Sequence, residues 1–136
     1  MIEKDLKQSI VFPVGEKIEN DYFVGDAYLS MLTTQSNPIG NVTFAPNARN
    51  NWHVHEGGQI LLVTGGEGYY QEEGKVAQRL KAGDVVEIAA GIKHWHGAAS
   101  DSWFVHLAIV RDPSKGETNW LEPVSESQYQ EANQSK

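Results

Sequence analysis

Two histidine pairs define the chemistry open to this chain. Trp52-His53-Val54-His55 and His94-Trp95-His96 each hold imidazoles two residues apart, and His106 follows within Phe104-Val105-His106-Leu107-Ala108. Residues i and i+2 of a strand point to one face, so each pair can aim both rings at one point. Imidazole nitrogen is a ligand for divalent transition metals. Gln59 follows Glu56-Gly57-Gly58, and the double glycine permits a sharp turn that brings its amide toward the same centre. A single His-x-His is weak evidence, because a lone strand histidine is more often a core or surface residue than a ligand. Two pairs plus a fifth histidine, with all five between positions 53 and 106, favour a metal site.

Composition narrows the ligands further. The 136 residues contain no cysteine, which excludes thiolate zinc sites, disulfide scaffolds and a cysteine nucleophile. A transition metal must therefore be held by imidazole, carboxylate or amide oxygen. The net charge of −7 argues against nucleic acid as a partner, because phosphates would be repelled. No apolar run approaches the roughly 20 residues of a membrane-spanning helix. The charged start, Met1 to Lys7, lacks the apolar core of a secretory signal, so a cytoplasmic location is expected.

The elements that must carry these residues read as short strands. Runs at Tyr22 to Leu32, Asn41 to Phe44, Trp52 to His55, Ile60 to Thr64, Gly68 to Gln71, Val76 to Leu80, Val85 to Ile88, His94 to Gly97 and Trp103 to Val110 alternate with turns. Gly57-Gly58, Gly65-Gly66, Glu73-Gly74 and Ala82-Gly83-Asp84 punctuate them. Strands at this spacing predict an all-β sandwich or barrel. Residues 1–20 read as an N-terminal arm, 21–124 as one barrel domain, and 125–136 as a short peripheral helix and tail. The helix is marked by Ser125-Glu126-Ser127-Gln128, which has capping-box spacing.

On these residues the chain resembles the cupins. Asn47-x5-His53-x-His55-x3-Gln59-x6-Gly66 follows the first cupin motif, and Gly83-x5-Ala89-x-Gly91-x2-His94-x3-Ala98 follows the second. The spacer from Glu67 to Ala82 is similar to that of small bacterial cupins. Within them it looks like the single-domain subgroup of manganese-dependent hydroxynitrile lyases and carboxymuconolactone decarboxylase-associated cupins. Shared stretches include Val42-Thr43-Phe44, Gly58-Gln59, Lys93-His94-Trp95-His96-Gly97-Ala98-Ala99 and Asn119-Trp120. The resemblance implies a conserved-barrel, double-stranded β-helix jelly roll. It also implies one divalent metal ion per subunit on His53, His55, Gln59 and His94. Manganese is the ion implied, and iron, zinc or nickel would also suit such donors.

Asn47 stands for glycine, and asparagine tolerates the left-handed region; Ala89 and Ala98 replace proline and asparagine at turn or packing positions. Gln59 for glutamate changes the chemistry. Three imidazoles and an amide are all neutral, so the bound ion keeps its full charge and is a stronger Lewis acid.

His96 and His106 are left as candidate bases or as residues that orient a ligand. Gly40, Val42 and Phe44 alternate on the strand before the first motif and could line a substrate pocket, the alternative being ordinary core, which holds for Phe44 in particular. Trp52, Trp95 and Trp103 should face away from their histidine neighbours, into a core or interface. Glu56, Glu72 and Glu73 read as solvated turn residues.

The expected function is a metal-dependent lyase acting on a small-molecule substrate, of the hydroxynitrile-lyase type. An iron dioxygenase and a non-catalytic ligand-binding barrel are the alternatives. Cupin resemblance further implies a homodimer or homotetramer.

Overall fold

The computed structural model describes residues 11–134, to which the structural statements below refer. The strands are β1 (Glu16–Lys17), β2 (Phe23–Val24), β3 (Ala27–Thr33), β4 (Ile39–Phe44), β5 (Arg49–Asn50) and β6 (His53–His55). After them come β7 (Gln59–Glu72), β8 (Gln78–Lys81), β9 (Val85–Ile88), β10 (His94–Ala98), β11 (Phe104–Val110) and β12 (Thr118–Trp120). A 3-10 turn at Pro113–Lys115 and the helix α1 (Glu126–Asn133) complete the chain. No helix is long and apolar enough to cross a membrane.

The strands run in the order β1-β3-β4-β11-β7-β10-β5-β2, with β8 and β9 also on β7, and with β6 bridging β10 and β12. The long β7 joins two sheets. Its first half pairs antiparallel with β11 and β9, its second half with β10 and β8. The sheet curls about this shared strand into an all-β barrel, the architecture the cupin resemblance implies.

Sequence reading divides β7 at Gly65-Gly66, whereas the structure carries the strand through. Gly66 has φ 68°, and a Cβ there would sit 1.7 Å from the Trp103 carbonyl oxygen. Glycine lets β11 approach and the strand bend without ending. The nearby register shift between Val105 and His106 belongs to the same bend. Conversely, the expected run Tyr22 to Leu32 breaks into β2 and β3 at Gly25, whose φ is 81°. Asn47 takes φ 73°, the left-handed conformation its motif position requires.

Two cores divide the apolar residues. Phe44, Leu61, Val63, Ile88 and Phe104 fill the barrel. Trp52, Tyr69, Trp95, Val124, Tyr129 and Ala132 form a second core beneath α1. Trp52 and Trp95 therefore point away from the histidines beside them, as strand alternation demands.

The capping box at Ser125 and Gln128 starts α1. Tyr129 fastens the helix by donating its hydroxyl proton to Ala98 O at 2.6 Å, while the Arg49 guanidinium lies 4.2 Å from its ring centroid. Burying a tyrosine this way is worth on the order of 2 kcal/mol. Asn133, which sequence reading leaves in a loose tail, accepts a hydrogen bond from Ser100 N–H at 2.8 Å. The expected tail beyond 134 lies outside the described residues.

Residues 1–10 of the expected arm also lie outside the described residues. The rest of that arm joins the barrel wall: Glu16 and Lys17 pair with Leu29 and Tyr28 of β3, and Ile18 packs on the barrel core.

Candidate metal centre

Strand pairing assembles the histidines. β10 runs antiparallel to β6 with His94 opposite His53, and β12 flanks β6 on its other edge with Trp120 opposite His53 and Thr118 opposite His55. The alternation of β10 then places His96 on the same face as His94, with ring centroids 5.9 Å apart. His53 lies 4.3 Å from His94, 4.9 Å from His55 and 5.4 Å from His96 by ring centroids.

Backbone carbonyls set the tautomers. His53 Nδ1–H donates to Asn51 O at 2.7 Å, and His94 Nδ1–H donates to Ile92 O at 2.8 Å. Each ring thereby keeps Nε2 as its lone-pair nitrogen, the arrangement metal-binding imidazoles use. His55 Nδ1 lies 3.2 Å from the Thr118 hydroxyl. Nε2 of His55, Nε2 of His94 and Oε1 of Gln59 are buried without a hydrogen-bond partner. Orphaned buried acceptors are costly, and a bound cation is one way to satisfy acceptors of this kind. The residues present therefore fit a metal ion.

His53, His94 and His96 are all buried and offer nitrogens within 4.8 Å of one another, so three histidines can hold an ion. His96 enters this group although sequence reading reserves it for the cavity. Its surroundings differ from those of the other two: the Asn50 amide nitrogen lies 3.3 Å from both of its ring nitrogens, and Asn50 Oδ1 accepts from His96 N–H at 3.0 Å.

Burial disfavours the protonated form of every imidazole here. Desolvation first, and then the charge a neighbouring imidazole would carry, hold His53 and His96 well below the ordinary value and His55 at about 4. Desolvation alone lowers His106 to about 4. The rings are neutral near pH 7, the state a ligand must have.

A cavity of about 250 Å³ opens above this cluster. Asn50, His53, His55, Gln59, His96 and Thr118 supply its polar side. Ile18, Phe23, Leu29, Val42, Ala108 and Trp120 supply its apolar side. Among the described residues, no charged side chain lines it.

Of the expected pocket residues, Val42 lines the cavity. Gly40 does not, because the room beside it is taken: a Cβ there would lie 2.9 Å from Leu29 Cδ1 and 3.4 Å from Met31 Sδ. Phe44 is fully buried in the barrel core, with its ring 5.9 Å from His96 and 5.8 Å from His106. His106, opposite Val42 and Val63 in the sheet, is fully buried. It meets His96 edge-on at 4.7 Å, and neither of its nitrogens has a partner. Glu72 is a correction: it ends β7 opposite His94 and accepts the Tyr70 hydroxyl proton at 2.8 Å, rather than lying in a solvated turn.

Sequence reading assigns no role to Asn50, Phe23, Thr118 or Trp120. A buried polar run, Arg49-Asn50-Asn51, directly before the first histidine pair is the signal that could have exposed Asn50. The other three reach the cavity only through pairing between distant strands.

The cupin-domain family model matches residues 40–110. An (R)-mandelonitrile lyase of Granulicella tundricola is 40% identical over 113 residues, 80% of this chain and 86% of that protein. The crystal structure of a cupin-like protein of Thermotoga maritima superposes with a TM-score of 0.90 at 44% identity, covering 93% of this chain and 99% of that one. A predicted oxalate decarboxylase of the same organism shares the fold at a TM-score of 0.63 and 23% identity, over 78% and 91% of the two chains. With both cupin motifs folded onto one histidine-lined barrel, the chain belongs to the cupin family.

Proposed function

We propose that this protein is a metal-dependent lyase of the hydroxynitrile-lyase type, which cleaves a small cyanohydrin into a carbonyl compound and hydrogen cyanide and catalyses the reverse addition. One observation carries the reading: uncharged donors converge at one end of the barrel, where nitrogens of His53, His94 and His96 lie within 4.8 Å of one another beside a cavity that His55 and Gln59 also line and that no charged side chain of the described residues enters. The (R)-mandelonitrile lyase relative supports the substrate class.

His53, His55, Gln59 and His94 would hold one divalent ion, with manganese the expected metal, and that ion supplies positive charge to polarise a bound oxygen. All four donors are neutral, so none offsets the charge. His96 stays outside the ligand set in this reading because the two motif spacings already supply four donors in His53, His55, Gln59 and His94.

The chain's other residues handle the proton. His96 faces the cavity, and its neutral ring can accept the proton of the substrate hydroxyl. As that proton leaves, the bond from the hydroxyl carbon to the cyano carbon breaks and its electron pair departs with cyanide. His96 then returns the proton to cyanide, so atoms and charge balance. Asn50 fixes the His96 ring, and His106 backs it from behind and shares the proton-handling role. The cavity is below the volume typical of drug-sized ligands, which suits a substrate of one ring or less.

Protein loaded with manganese and incubated with (R)-mandelonitrile should release benzaldehyde, and chelator-treated protein should not. Absence of metal-dependent release would overturn the reading.

A further inference from the structure

The apolar side of the cavity is built as carefully as the imidazole side. Trp120 stands opposite His53 in the β6–β12 pair, and its ring centroid lies 4.7 Å from the imidazole. Tyr22, which does not line the cavity, stacks on Trp120 at 4.9 Å with the planes 3° apart. Phe23 leans on the same indole at 5.7 Å and 55°. These separations fall within the range in which aromatic pairs attract.

Three consequences follow from this placement. The indole is gripped by a tyrosine stack and by the imidazole, so its orientation is set before a ligand arrives. A ligand group beside Trp120 and Phe23 is within one ring's breadth of His53 and hence of the reaction centre. Asn20, also at this end, spends its Oδ1 on Tyr22 N–H at 2.8 Å, and among the described residues no charged side chain lines the cavity to pair with an anion. What the wall itself offers a ligand is therefore apolar contact rather than a side-chain ion pair.

We infer that Trp120 and Phe23 form an aryl-binding wall that sets the substrate class, receiving an uncharged aromatic ring on the carbon whose hydroxyl faces the imidazoles. Tyr22 is a positioning residue that acts through Trp120. The inference rests on the lyase reading for the reacting end of the substrate, while the wall itself is a binding site that can be measured without turnover.

Two measurements test it on the full-length protein, loaded with manganese for the first and with diamagnetic zinc for the second, because paramagnetic manganese would broaden the resonances beside the site. The first compares kcat/KM for mandelonitrile with that for acetone cyanohydrin, which has the same reacting group and no ring. Trp120→Leu should lower the aryl-to-alkyl ratio about tenfold, mainly through KM, and Trp120→Phe should restore most of it. Tyr22→Ala should move the ratio the same way by a smaller factor. Equal losses on both substrates would reduce Trp120 to a structural role and overturn the inference.

The second measurement follows binding of benzyl alcohol and of tert-butanol by chemical-shift titration. Wild type should prefer the aromatic alcohol, and Trp120→Leu should erase the preference while keeping a dispersed, folded spectrum. If wild type turns over neither cyanohydrin but keeps the preference, the lyase reading fails and the aryl wall stands. If wild type binds both alcohols alike, the wall fails whatever the turnover. Phe23→Leu repeats the test should Trp120→Leu not fold.

Discussion

His53 and His94 face each other across the antiparallel β6–β10 pair, with ring centroids 4.3 Å apart and each Nδ1–H tied to a carbonyl two residues before it in the chain. The two motifs thus use the same device. A short local hydrogen bond chooses the tautomer, and strand pairing brings the two free Nε2 atoms together. Preorganisation of this kind lowers the cost of gathering ligands when an ion arrives.

The ligand set can be tested directly. His55→Ala should abolish tight manganese binding, whereas His96→Ala should weaken it by about 10–100-fold at most, as expected of a residue outside the ligand set. Calorimetric titration of metal-free protein checks this. Retained affinity in His55→Ala with loss in His96→Ala would make His53, His94 and His96 the site instead.

Gln59→Glu places a carboxylate among neutral donors. Affinity for the hard manganese ion should rise, while cyanohydrin turnover should fall about tenfold or more because the carboxylate offsets charge available to the substrate. Metal titration and benzaldehyde release are the readouts, and unchanged turnover would remove the neutral-donor argument.

Acid should destabilise the metal-free protein. Burial holds His106 at about 4 against an ordinary 6.5, so between those values the folded chain binds fewer protons than the unfolded one. Stability is then full above about pH 6.5 and declines as pH falls toward 4, by about 1.4 kcal/mol per pH unit for one such group. His55, at about 4, adds in the same direction. Denaturant midpoints measured across this window should fall steadily, and a flat profile would contradict it.

Gly66→Ala tests the bend in β7. With φ at 68° and a Cβ 1.7 Å from the Trp103 carbonyl, the strand must shift or β11 must part from it. A loss of about 2 kcal/mol or more is expected in thermal or denaturant unfolding. Gly74→Ala, also at positive φ with nothing nearby, should cost less.

Sequence alone determined the fold class, the neutral character of the donors and the shared face of each histidine pair. These depend on composition and on the two-residue period of a strand, which any pleated segment obeys. The same local physics placed Asn47 in the left-handed region, aimed Trp52 and Trp95 away from the histidines, and started α1 at Ser125.

Tertiary structure decided the rest. That β7 runs unbroken through Gly65-Gly66 depends on β11 crossing at Trp103, a contact no local pattern encodes. That Gly40 serves Leu29 rather than a substrate, and that Phe44 lies in the core, follows from the register of β3 on β4. His96 came as close to His53 and His94 as a ligand would, although its spacing could not reveal that Asn50 engages its ring. Trp120, Phe23 and Thr118 reached the site from distant strands. Spacing reports which side chains share a face, but only pairing between remote segments decides which faces meet, because that choice is made by hydrogen bonds and packing across the whole barrel.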